Sequence, residues 1–165
     1  MDNKQRGSSL IEFIFLGIPV IFITISIIEA SLAMWQFHSL AYTVDTATRY
    51  AVVHGRGCTQ NGNTCSITVG KVATVLSSQA PALETSKLSV TLYTHSTTTT
   101  CAPITTCLSD ATQFPSAIDN GLNLDIKIVA TYPILNPFPM FWPGTAGTPG
   151  SAFTLSATSR QRILF

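Results

Sequence analysis

From Phe13 to Ile28 the chain runs sixteen residues without a charge, twelve of them Ile, Phe, Leu or Val. Counted inward from Leu10 the run is nineteen residues, interrupted only by Glu12. That is close to the roughly 20 residues a helix needs to cross a bilayer. Ahead of it lies a short basic leader, Met1-Asp2-Asn3-Lys4-Gln5-Arg6-Gly7, followed by Ser8-Ser9-Leu10-Ile11-Glu12. A carboxylate in the middle of a bilayer costs roughly 2.5–3.5 kcal/mol on insertion scales. A plain anchor has no need of one, so Glu12 is read as a residue with a job. Lys4 and Arg6 hold the N-terminus on the cytoplasmic side, and the rest of the chain then faces outward.

A cleaved secretory signal is the ordinary alternative for such a start, and Ser31-Leu32-Ala33 offers a small-x-small site. Helical periodicity nevertheless runs straight through that point. Ala30, Ala33, Met34, Phe37, Leu40, Ala41, Val44, Ala47, Thr48, Ala51 and Val52 recur at helical spacing. Asp45 and Arg49 stand four apart and can pair. The pattern predicts one helix from about Ser9 to Val53, about 65 Å long at 1.5 Å per residue. Its first half suits lipid, and its second is an amphipathic stalk. Pro19 removes a backbone donor and is expected to bend the membrane half. Gly55 is the natural C-terminal cap.

Composition agrees with a membrane-associated chain. Only 10% of the 165 residues are charged, against about 25% in ordinary soluble domains, and the mean hydropathy is +0.33. Nine bases and eight acids give a net charge of +1. Without residues 1–7 the bases and acids balance at seven each. No basic footprint for nucleic acid is present. The four cysteines form two close pairs, Cys58/Cys65 and Cys101/Cys107, all downstream of the apolar run. An even number in short loops on the outward side suits two local disulfides. The rival reading is a zinc site using these thiols with His54, but the spacings are longer than the C-x2-C knuckles of common zinc modules.

Arg6-Gly7-Ser8-Ser9-Leu10-Ile11-Glu12-Phe13 resembles the type IV prepilin cleavage motif. The stretch from Arg6 through Ala47-Thr48-Arg49-Tyr50-Ala51 to Gly55 resembles, more narrowly, TadE-like minor pilins of the bacterial tight-adherence (Flp) pilus system. The resemblance implies that a prepilin peptidase cuts after Gly7 and leaves Ser8 as the new N-terminus. Gly7 suits that role because it leaves the backbone open to close approach. It also implies that Glu12 pairs with the freed amine of a neighbouring subunit and sets the register between packed helices. Small residues, Gly17, Ser26, Ala30, Ser31 and Ala33, would allow close helix packing near Pro19. Ser8 departs from the bulky aromatic usual in major pilins, a change that TadE-like chains commonly tolerate. The partners implied are the inner membrane, the prepilin peptidase, other pilins and the pilus assembly machinery.

The organisation expected is a leader (1–7), a membrane half-helix (8–29), a stalk half-helix (30–55) and a periplasmic α+β head (56–165). In the head, Ser66 is expected to cap a helix over 67–80, whose apolar face is Val69, Val72, Ala73, Leu76 and Ala80. Three strands follow from alternation, 88–93, 122–132 ending at Pro133, and 153–158, and the resemblance to TadE-like chains implies that they form a three-stranded antiparallel sheet. Ser96 to Thr100 reads as a loop leading into Cys101/Cys107. The segment from Pro133 to Pro149, rich in Pro, Gly and aromatics, reads either as a flap closing the core or as an exposed contact patch. Arg160 and Arg162 read as solvated charges at a strand end.

Chemistry of its own is not expected. His38, His54 and His95 are scattered, and His38 reads as exposed or stacked beside Phe37. No nucleophile elbow, H-E-x-x-H, P-loop or dinucleotide glycine pattern occurs. Neither a metal nor a cofactor is expected, and the chain is read as a non-enzyme. The leading function is structural, a minor pilin in a cell-adhesion machine. A type II secretion pseudopilin, a single-pass periplasmic binding module and a membrane-anchored hydrolase remain as alternatives, the last without a supporting constellation.

Overall fold

The computed structural model describes residues 6–54, 67–135 and 152–163. One long helix, α1, runs Arg6–Val53, with Pro19 inside it. It is followed by α2 (Val69–Ser78), β1 (Ser89–Tyr93), β2 (Thr98–Cys101), a 3-10 turn (Ile104–Cys107), β3 (Asp125–Leu135) and β4 (Ala152–Arg162). The chain divides into two units, Met1–Met34 and Trp35–Phe165. The last part of α1 therefore belongs with the head.

The first unit is α1 up to Met34. Ile11, Phe13, Ile14, Phe15, Leu16, Ile18, Ile21, Ile27 and Leu32 are all exposed on it. They lie on every side of the helix, the pattern of a rod meant for an apolar surrounding rather than for one packed face.

In the second unit two helical segments cover one face of an antiparallel sheet in the order β2-β1-β3-β4. Alternation decides which side chains face inward. Val90 and Leu92 from β1, and Ile126, Ile128, Ala130 and Tyr132 from β3, enter one core. The register aligns them across the strands, Val90 with Ala130 and Ala130 with Ala157. Leu40, Val44, Ala47, Ala51 and Val52 of α1 meet that core, as do Val69, Val72, Ala73 and Leu76 of α2. The expected face of the second helix is thus the buried one. The Asp45–Arg49 pair forms, at 2.9 Å.

The sheet has four strands, not three. Thr98–Cys101 was expected as loop and is the edge strand β2, paired with β1 from Val90↔Cys101 to Tyr93↔Thr98. The threonine run carries no apolar alternation, but β-branched side chains suit an exposed edge. β3 begins at Asp125 rather than at Leu122, which is 68% exposed and precedes the strand. It also passes through Pro133 to Leu135. Proline is tolerated there because β1 stops pairing at Thr131, so only β4 neighbours that stretch. α2 is capped by Thr68, whose hydroxyl accepts from the Lys71 amide. The expected caps Ser66 and Gly55 lie outside the described residues, as does the proline- and aromatic-rich segment 136–149.

Cys101 and Cys107 are disulfide-bonded, with Cα atoms 5.7 Å apart. The bond closes the loop between β2 and the 3-10 turn. Cys58 and Cys65 lie outside the described residues.

Candidate functional site

The surface that distinguishes this chain is the N-terminal part of α1. Gly7 and Ser8 lie within its first turns. Glu12 is exposed, one turn further on. From Phe13 to Ile28 no other charge occurs, and Glu29 closes the run. At 1.5 Å per residue, Glu12 and Glu29 bracket about 26 Å of apolar helix, close to the thickness of a bilayer core. The helix is long and apolar enough to cross a membrane.

The polar side chains inside this run are satisfied within the helix. Thr24 donates to the Val20 carbonyl at 2.8 Å, Ser26 to Phe22 at 2.9 Å and Ser31 to Ile27 at 2.7 Å. Hydroxyls bonded this way need no water, which is the condition for placing them in lipid.

The expected packing residues do not all share a side. Seven-residue steps return to within about 20° of the same helix face. Glu12, Pro19, Ser26 and Ala33 stand at such steps, with Ala30 beside them. Gly17 falls on the opposite side, half-covered: a Cβ built on it would lie 3.7 Å from the Phe13 ring. Glu12 therefore heads a stripe of small residues that leaves Gly17 out.

The histidines lie apart. His38 is exposed, with its ring edge-on to Phe37 at 6.1 Å. His54 stacks on Tyr50 at 4.1 Å, its Nδ1 3.0 Å from the Tyr50 carbonyl oxygen. His95 is exposed. Among the described residues no group of three or more His, Cys, Asp or Glu could hold a metal ion.

The head holds three acids whose roles are invisible in sequence. Asp119 is 2% exposed. Its carboxylate accepts from the hydroxyls of Thr94 (2.6 Å), Ser96 (2.6 Å) and Ser116 (2.9 Å) and from the Ser96 amide (3.0 Å). Burial alone raises its pKa, but these donors outweigh burial and hold it at about 2. Asp125 accepts from Arg160 at 2.6 Å and Arg162 at 3.2 Å, so those arginines are paired across β3 and β4 rather than simply solvated. The two guanidinium hydrogen bonds lower the Asp125 pKa. Asp45 accepts from Ser159 and Gln161, both at 3.2 Å, tying the end of α1 to β4. Nothing in the sequence marks Asp119 or Asp125, and Asp45 shows only its spacing from Arg49. The donors become visible only once the strand register is known.

Comparison with known proteins bears on the helix. No curated protein and no solved structure matches the chain. Residues 7–49 match the family model described as TadE-like protein, a span that starts at the glycine before the expected cut and ends at the arginine paired with Asp45. Over that segment, 43 of the 165 residues, the chain is similar to TadE-like proteins.

Proposed function

We propose that this chain is a minor pilin or pseudopilin of a Flp-type pilus, made as a membrane-inserted precursor and cut between Gly7 and Ser8 by a prepilin peptidase. The observation that carries this reading is the coincidence of the family match over residues 7–49 with a helix apolar on every side that bears one acid before Ile28. In this arrangement α1 anchors the protein in the inner membrane. The N-terminus lies in the cytoplasm and the head in the periplasm, where the Cys101–Cys107 bond is stable.

Cleavage frees an amine at Ser8, one helical turn from Glu12. A neighbouring subunit's amine can pair with the Glu12 carboxylate. The pairing offsets the cost of taking both charges out of water and fixes the axial offset of two helices. The stripe Pro19, Ser26, Ala30 and Ala33 on the Glu12 side lets a second helix approach closely. The partners are other pilins and the assembly machinery, and the protein performs no catalysis itself.

The test is the mass of the mature N-terminus in membranes of cells carrying the matching peptidase. The expected N-terminus is Ser8. An N-terminus left at Met1, or one created near Met34, overturns the assignment.

A further inference from the structure

Beyond Glu29 the exposed side chains of α1 change character. Trp35 is 57% exposed and Tyr42 64%, and Phe37 is exposed as well. All three belong to the head unit, yet none enters its core, which begins on this helix with Leu40 and Val44. Trp35 and Phe37 stand within one helical turn, and Tyr42 lies about 10 Å beyond Trp35. Trp35 and Tyr42 stand seven apart, on one side, and Phe37 projects from the opposite side. Trp35 and Phe37 thus project from two sides of the helix at nearly one level instead of lining one face.

We infer that Trp35 and Phe37 seat the head on the headgroup layer of the outer leaflet, with phospholipid as the partner. The inference rests on the membrane-spanning placement above, though not on the pilin assignment. The occupant follows from position and from shape. With Glu12 at the cytoplasmic edge, about 20 residues of hydrocarbon-spanning helix end near Leu32, so Trp35 and Phe37, about 5 and 8 Å further along, fall at the headgroups, and Tyr42, about 15 Å along, lies above them. Glu29 then lies within one turn of that boundary, close enough for its carboxylate to reach water. A partner helix would need a single apolar stripe. An interfacial layer contacts the rod on both of the sides from which Trp35 and Phe37 project. Indole and phenol have apolar bodies and polar tips, which is why Trp and Tyr collect at such boundaries.

Trp35 and Trp142 are the two tryptophans of the chain, so Trp142→Phe leaves Trp35 as the sole reporter in the full-length protein. A companion carries Ile21→Trp together with Trp35→Phe and Trp142→Phe. Both are reconstituted in phosphatidylcholine vesicles with lipids brominated either near the headgroup or deep in the acyl chain. Trp35 is expected to emit blue-shifted and to be quenched more by the shallow bromines, and the Ile21→Trp reporter more by the deep ones. If the Ile21→Trp reporter responds to deep bromines while Trp35 responds only to aqueous iodide, the anchoring inference falls and the membrane span stands. If neither reporter responds to brominated lipid, both fall together.

Discussion

Asp119 is the residue on which the loops of the head converge. Four donors from two separate segments meet one buried carboxylate, joining the turn after β1 to the 116–119 turn. Because its folded pKa lies below the ordinary carboxylate value, its contribution is fully present above about pH 4. That contribution is lost as pH falls through about 2. At neutral pH the depression corresponds to about 2 kcal/mol of stability. Asp119→Asn puts a second donor among hydroxyl donors in a buried site, and a destabilisation of about 2 kcal/mol is expected. Chemical denaturation of the two proteins between neutral and acid pH should show a smaller loss on acidification in the variant. Equal slopes for both would remove Asp119 from this role. The hub was not legible from sequence. Thr94 and Ser96 stand 25 and 23 positions upstream and are brought to Asp119 by folding, while Ser116 is only three positions away.

At the scale of elements, α2 shows how a short helix is seated. Its first free amides are taken by the backbone of the loop before Phe114: Val69 donates to the Thr112 carbonyl at 2.8 Å and Gly70 to that of Asp110 at 2.9 Å. Such close approach requires a bare Cα. A Cβ on Gly70 would sit 2.7 Å from the Leu108 carbonyl oxygen and 2.8 Å from that of Asp110, both backbone atoms that cannot swing away. Alanine is the better helix former by about 1 kcal/mol, but overpacking costs about 1–3 kcal/mol. Gly70→Ala should therefore lower stability by about 1 kcal/mol, read as a lower midpoint of thermal or denaturant unfolding. A variant as stable as the parent would mean that the loop yields freely. The apolar face of this helix was readable from spacing alone. The edge strand β2 was not, because Thr98, Thr99 and Thr100 offer no hydrophobic alternation and are placed by pairing with β1.

For the whole molecule, one helix of 48 residues serves two environments. Its first part exposes apolar side chains all round, and residues from Leu40 onward close a two-layer head. On the proposed function, Glu12 matters only once another subunit is present. Glu12→Ala is expected to leave cleavage at Gly7 intact while sharply reducing incorporation with partner pilins. Cross-linking and co-fractionation with those pilins measure this. Undiminished incorporation would show that register is set elsewhere on the helix.

The amino-acid sequence by itself determined the long apolar helix. Solvent preference is a property of consecutive residues, so the run from Phe13 to Ile28, the preceding Glu12 and the helical period through Val52 could all be read without a structure. The local Cys101–Cys107 bond and the buried face of α2 were legible for the same reason, being set by near neighbours. Only the tertiary structure decided where β2 and β3 begin, how Pro133 is accommodated, and which partners Asp45, Asp119 and Asp125 find. Those outcomes depend on strand order and register, which bring together groups as far apart as Asp45 and Gln161. No local pattern encodes that distance.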